Sequence, residues 1–306
     1  MITALCGGVG GAKLALGLDR CGIELDLVVN TGDDFTHYGL RICPDLDTVA
    51  YTLSGKVDEG QGWGRAGESF AVRAELELLG ETPWFQLGDR DIALHLLRAR
   101  LLETGRLTEA MAEIGARLGV RPRLLPMCDS PAATIVETAG GPLPFQDYFV
   151  RLRCAPAVTG LRFGGEGLSP APEALAALTA PALRGILVCP SNPLLSIAPI
   201  LAIAPLRDAL AKRRAPAVAV SPLIAGQAVK GPTAKLFREL GLGVDAAAVA
   251  RLYVGLVDHF VLDEADAALV PEVEALGMKA PVTRTLMTSV EDKEGLARFC
   301  LNLLGC

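Results

Sequence analysis

The sequence predicts an α/β fold: a mainly parallel sheet flanked by helices, with a small β-rich insertion. Three observations carry this. Short apolar runs alternate with stretches of helical periodicity, the pattern of strands joined by crossover helices. The first run, Ile2–Cys6, passes through Gly7-Gly8-Val9-Gly10-Gly11 straight into a helical stretch. Between 121 and 172 the texture changes to β-branched runs punctuated by Gly and Pro, as in "RLLPMCDSPAATIVETAGGPLPFQDYFVRLRC". Residues 1–120 and 173–306 are therefore expected to form the core, and 121–172 an inserted β-rich subdomain.

Taken in order, strands are expected at Ile2–Cys6, Leu25–Asn30, Ile186–Cys189, Ala217–Ser221, Phe260–Leu262 and near Val282–Leu286. Helices are expected at Ala12–Asp19, Ser69–Leu79, Ile92–Glu103, Glu109–Leu118, Pro205–Arg213, Thr233–Leu240, Ala246–Leu256 and Glu291–Leu303.

Composition excludes several classes. The 306 residues are 51% hydrophobic, but we count no run of about 18 uncharged apolar residues, so a soluble, core-rich protein is expected. No basic region precedes Ile2, which argues against a signal or transit peptide and for the cytoplasm. Net charge is −6 and the longest basic block is Lys212-Arg213-Arg214, too little to neutralise a nucleic acid polymer. The eight cysteines show no Cys-x-x-Cys pair, and three distant histidines make no multi-histidine metal site.

The glycine loop places backbone N–H groups at a helix start, where they and the helix dipole favour an anion. It is not a Walker loop, because Lys13 stands between Ala12 and Leu14, and it does not complete Gly-x-Gly-x-x-Gly. A ligand-free tight turn is the alternative, but four glycines in five residues exceed what a turn requires. The loop thus reads as a phosphate or nucleotide site.

A second motif, "NTGDDFTHYGLRICPDLDT", follows the next strand and gathers Asn30, Asp33, Asp34, Asp45 and Asp47. Carboxylates so grouped repel one another unless a cation compensates them. Mg²⁺ fits, since it takes carboxylate oxygens together with substrate phosphates. The alternative is structural: Asp45 or Asp47 caps a helix over Thr48–Leu53, and Asp33-Asp34 is a solvated turn. A third cluster, "QLGDRDIALHLLR", opens a helix with Asp89, Arg90 and Asp91, and His95 there reads as a packing residue. "CPSNPLLSIAPI" and "AVSPLIAGQAVKGPTAKL" each follow a buried strand and could line a nucleotide cleft with the glycine loop.

GGVGGAKLALGL, NTGDD, ICPDLDT, LGDRD, PSNPLLSIAPI and SPLIAG…GP, in this order over nearly the whole chain, resemble the 2-phospho-L-lactate transferase family of coenzyme F420 biosynthesis. The resemblance implies a Rossmann-like core, a homodimer and Mg²⁺ dependence. It implies transfer of a phosphorylated three-carbon acid from its guanosine diphosphate-activated form to the ribityl hydroxyl of the deazaflavin Fo (7,8-didemethyl-8-hydroxy-5-deazariboflavin), with release of GMP. On this reading Gly7, Gly8, Gly10, Gly11 and Lys13 meet the diphosphate, and Ser191, Asn192, Gly231 and Pro232 line the guanosine side. Asp33, Gln86 and Asp89 complete the binding set. Asp45 is first choice for metal, with Asp47, and Asp47 contacts the Fo hydroxyl as orienting group or base. Archaeal relatives carry Lys where this chain has Gln86, which cannot supply a cation. The donor acid stays open among phospholactate, phosphoenolpyruvate and 3-phosphoglycerate. Two other readings are a nucleotide-sugar-binding regulator of a related branch, expected to lack PDLDT and LGDRD together, and a nicotinamide-dependent oxidoreductase using Asp33 or Asp34 on the ribose.

Overall fold

The computed structural model describes residues 1–165, 167–229 and 231–306. The chain begins with β1 (Ile2–Cys6), α1 (Gly8–Arg20) and β2 (Leu25–Val29), then makes a hairpin of β3 (Phe35–His37) and β4 (Leu40–Ile42). Four helices follow, α2 (Pro44–Leu53), α3 (Ala71–Leu78), α4 (Asp89–Leu102) and α5 (Leu107–Leu118), before β5 (Arg123–Pro126). Next come β6 (Thr134–Thr138), β7 (Gly141–Pro144), β8 (Val158–Phe163), α6 (Pro172–Thr179) and β9 (Gly185–Val188). The remainder holds α7 (Ala198–Ala202), α8 (Ala204–Ala211), β10 (Ala217–Val220), a small hairpin of β11 (Leu223–Ile224) and β12 (Gln227–Ala228), α9 (Thr233–Glu239) and α10 (Ala246–Arg251). β13 (His259–Val261), α11 (Val270–Glu274) and α12 (Val290–Leu303) complete the order.

The central sheet runs β13-β10-β9-β1-β2-β5, and every pairing in it is parallel. Its inner strands, such as ITALC and AVAV, are buried along their whole length, as strands covered on both faces must be. One face packs against α1, α2, α5 and α12, the other against α6, α8, α10 and the inserted strands. Read from β5, the order is that of doubly wound nucleotide-binding sheets, with the strand order reversing direction between β1 and β9. The loops after those two strands therefore flank the crevice where such sheets bind ligands.

The fold differs from expectation in four places. Arg123–Pro126, assigned to the insertion, is the edge strand of the central sheet, so the boundary at 121 falls one strand too early. A strand ending in Pro is tolerated there because an edge can lack a donor. The separate antiparallel sheet is β7-β6-β8, and its Val136 and Val158, with Tyr148 from the helical turn Asp147–Arg151 between β7 and β8, bury into the same core as β5 and β9. Near Val282–Leu286 there is no strand, only an isolated bridge from Leu262 to Val282, since Pro281 withholds a donor. Finally, α7 was not expected: Pro193–Ala202 forms with Ala204–Ala211 an apolar bent pair, although among the described residues no single helix is long and apolar enough to cross a membrane. That pair bends by 95° and buries Ile197, Ile200, Ile203, Leu206 and Leu210 in the core.

Candidate functional site

The glycine loop sits at the switch point. Gly7 N–H donates to Ser191 Oγ at 3.1 Å, tying the loop after β1 to the loop after β9, and Gly8 N–H donates to Asp45 Oδ1 at 2.6 Å. A Cβ on Gly10 would stand 2.2 Å from the Pro190 carbonyl oxygen, and one on Gly7 would stand 2.2 Å from Asp45 Oδ2. The glycines thus admit the neighbouring chain first, where the sequence reading had them admit only a phosphate. The N–H groups of Val9 and Gly10 lie in the first turn of α1, where no carbonyl four residues back can accept them. Gly10→Ala is expected to cost roughly 1–3 kcal/mol through overpacking against Pro190, seen as a melting temperature lower by several degrees. A variant that melts like the wild type but loses nucleotide affinity would return Gly10 to a pure ligand role.

The acidic residues converge below this loop. Asn30 Nδ2 donates to Asp45 Oδ2 at 2.9 Å and leans on Asp33 Oδ1 at 3.4 Å, so one amide marks the point that both carboxyls face. Asp34 Oδ2 accepts from Arg41 Nε and Nη2 and from Cys43 Sγ, while its Oδ1 is buried with no hydrogen-bond partner among the described residues. Burial pushes the Asp34 and Asp45 carboxyls up to about 6. Asp33 is held well above the usual carboxylate range by burial and then by the charges of Asp45 and Asp34.

Asp47 faces elsewhere. α2 begins at Pro44, with Cys43 at the cap position and no capping side chain, so neither Asp45 nor Asp47 is the cap. Both lie inside the helix two residues apart, a spacing that sends side chains to different sides. Asp45 meets the glycine loop, whereas both oxygens of Asp47 accept from the guanidinium of Arg98 on α4. Asp45 and Asp47, expected together as metal ligands, thus have different protein partners, because PDLDT is helical where the sequence predicts a helix only from Thr48. His95 Nδ1 accepts from Arg98 Nη1 at 3.2 Å, and burial lowers its pKa to about 4, leaving it neutral.

The LGDRD segment is a clasp. Asp89 accepts from Ser69 Oγ and from the N–H groups of Ala71 and Val72, capping α3. In return Glu68 accepts from the N–H groups of Arg90 and Asp91, capping α4. A Cβ on Gly88 would lie 2.1 Å from the Glu68 carboxyl carbon, so a side chain there would push that carboxylate off the two N–H groups it accepts from. Asp91 accepts the Tyr51 hydroxyl at 2.6 Å. Asp89 is thus committed to α3, and Gln86 is exposed between Phe85 and Leu87. Those two residues line an apolar pocket of about 190 Å³ with His37, Tyr38, Val72 and Ile92. Phe35, Trp84 and Phe85 stack edge to face beside it.

Other expected ligands are placed as follows. Lys13 Nζ donates to the Met287 carbonyl at 2.9 Å, turning toward the segment before α12. Ser191 is buried at the loop, as above, while the Asn192 side-chain oxygen Oδ1 caps the turn at Pro193–Ile197 by accepting from the N–H groups of Leu194 and Leu195. Gly231 and Pro232 precede α9, and no hydrogen bond among the described residues joins them to the glycine loop. The sequence reading missed Arg98, whose only signal is its place on the buried stripe of α4 with Leu94 and His95.

The donor set suits a hard cation. No three His, Cys, Asp or Glu side chains among the described residues enclose a metal alone, so an ion here needs further oxygens from phosphate or water, which is how Mg²⁺ is held. Among the described residues, Asp34 pairs with Arg41 and Asp47 with Arg98, while Asp33 and Asp45 lie beside them, so four ionised acids would exceed these two cations by two charges. The orphaned Asp34 Oδ1 points the same way.

Comparison with known proteins adds a third line. A family model described as 2-phospho-L-lactate transferase CofD matches residues 2–290. A phosphoenolpyruvate transferase of Streptomyces griseus is 41% identical over 99% of this chain and 98% of that protein. A 2-phospho-L-lactate transferase of Methanosarcina barkeri is 37% identical over 97% and 96%. The crystal structure of a UPF0052 family protein (BH3568) from Bacillus halodurans superposes with a TM-score of 0.65 over 98% of both chains, and at 16% identity this likeness concerns the fold alone.

Proposed function

Because the chain belongs to the 2-phospho-L-lactate transferase CofD family, we propose that this transferase moves a phosphorylated three-carbon acid from its guanosine diphosphate-activated form to the ribityl hydroxyl of Fo, releasing GMP, as a Mg²⁺-dependent homodimer. One observation carries the reading: an anion-binding helix start and a pair of cation-demanding acids, Asp33 and Asp45, meet at the switch point of the sheet. These are the two halves of a phosphoryl-transfer site, where catalysis is mostly positioning and charge stabilisation. Mg²⁺ held by Asp33 and Asp45 would neutralise charge on the diphosphate oxygens.

In the step itself, the hydroxyl oxygen bonds to the phosphorus nearest the acid, the phosphoanhydride bond breaks, and GMP takes the electron pair. Asp47 orients the hydroxyl and takes its proton as the new bond closes. A loose transition state releases the proton late, so a carboxylate suffices to take it. The apolar pocket with its aromatic border supports a flat heteroaromatic acceptor.

For the donor, relatives named phosphoenolpyruvate transferase reach 40–41% identity and those named 2-phospho-L-lactate transferase 37–39%, which favours the enolpyruvyl acid. With each of the three activated acids supplied in turn, mass spectrometry is expected to show the enolpyruvyl adduct of Fo formed fastest. Faster formation of the lactyl or glyceryl adduct would overturn the donor assignment, and no adduct from any would overturn the transfer reading.

A further inference from the structure

Arg98 is the largest fully buried side chain in the described protein, and a buried arginine is tolerated only when its charge is matched. Its Nη1 and Nη2 grip both oxygens of Asp47, and Nη1 also reaches the Arg41 carbonyl at 3.1 Å and His95 Nδ1 at 3.2 Å. Nη2 rests against Met111 Sδ at 3.9 Å. One planar fork from α4 therefore binds both the carboxylate of α2 and the main chain of β4. Neutral His95 accepts from the same Nη1, while Nε is buried with no hydrogen-bond partner among the described residues.

We propose that Arg98 is the positioning residue of the transfer, setting the direction in which Asp47 presents its carboxylate to the acceptor hydroxyl. This rests on the transfer reading given above. Arginine is required because two parallel N–H donors define an orientation for the carboxylate, whereas a lysine ammonium neutralises the charge and leaves the plane free. Arg98 is fully buried and reaches the site only through Asp47, so its removal should act on turnover and spare donor binding. A misplacement of about 1 Å in such a site can cost 10²-fold.

The test is a double-mutant cycle read in kcat and in the donor KM. Arg98→Lys is expected to lower kcat roughly 10–100-fold with the donor KM unchanged. Placed on Asp47→Asn, the same substitution should lower kcat by less than about 2-fold further, since the group it aims is already gone. Arg98→Met with Asp47→Asn removes both charges, which keeps the comparison open if the lysine variant does not fold, and should turn over at the rate of Asp47→Asn alone. Wild-type kcat in Arg98→Lys, or losses that multiply when combined, would overturn the role. Absence of transfer by the wild-type protein in the same assay would instead overturn the transfer reading, and the role with it.

Discussion

Asp47→Asn is expected to lower turnover by roughly 10²–10⁴-fold, the range for loss of a group that orients and accepts a proton in the transition state. Asparagine keeps the size and one acceptor, so donor affinity should change little. The alternative that Asp47 is a helix cap predicted a nearly wild-type asparagine variant, but the cap position belongs to Cys43. A stability cost is expected as well, because Arg98 is left buried without its partner, and breaking such a pair costs roughly 3–5 kcal/mol. Rates should therefore be compared well below the melting temperature of the variant. Full activity in a folded Asp47→Asn protein would remove the residue from the chemistry.

Removal of divalent metal is expected to abolish transfer, and Mg²⁺ or Mn²⁺ to restore it, since both accept carboxylate and phosphate oxygens. Turnover undiminished in excess chelator would sink the metal assignment. The raised carboxyls give a second readout. Asp34 and Asp45, pushed up to about 6 by burial, retain protons that unfolded carboxyls lose near pH 4. Their contribution to stability is complete below about pH 4 and is lost as pH rises through about 6. Metal-free protein should thus lose this stabilisation between about pH 4 and about pH 6, and Mg²⁺ should raise the melting temperature by several degrees at about pH 7.5 but little at about pH 4. Equal shifts at both pH values would show that protons and cation do not compete for the same acids.

Much of the architecture was legible because it rests on local signals. Fully apolar runs such as ITALC and AVAV can only be covered strands, and the glycine loop between β1 and α1 announces the switch point. RLLP was misplaced because four residues ending in proline look like a turn until β2 is there to pair with them. The site was legible in its membership and not in its partnerships. NTGDD and PDLDT do converge, yet which acid meets a backbone N–H and which meets an arginine depends on where α2 begins and on a residue 51 positions away. Asp89 shows the same limit: nothing near it in sequence marks it as the cap of α3, whose start lies 18 positions earlier.

The clasp between Glu68 and Asp89 has a consequence for how such sequences diverge. The capping bonds of Glu68 occupy the space a side chain at Gly88 would take, and each acid holds the start of the helix that follows the other. Positions 68, 88 and 89 should therefore change together or not at all. A lineage that gains any side chain at 88 is expected to have lost the acid at 68 first, and with it the wall that α3 gives the apolar pocket. Across a set of aligned relatives, that coupled loss would mark those in which the pocket has been rebuilt.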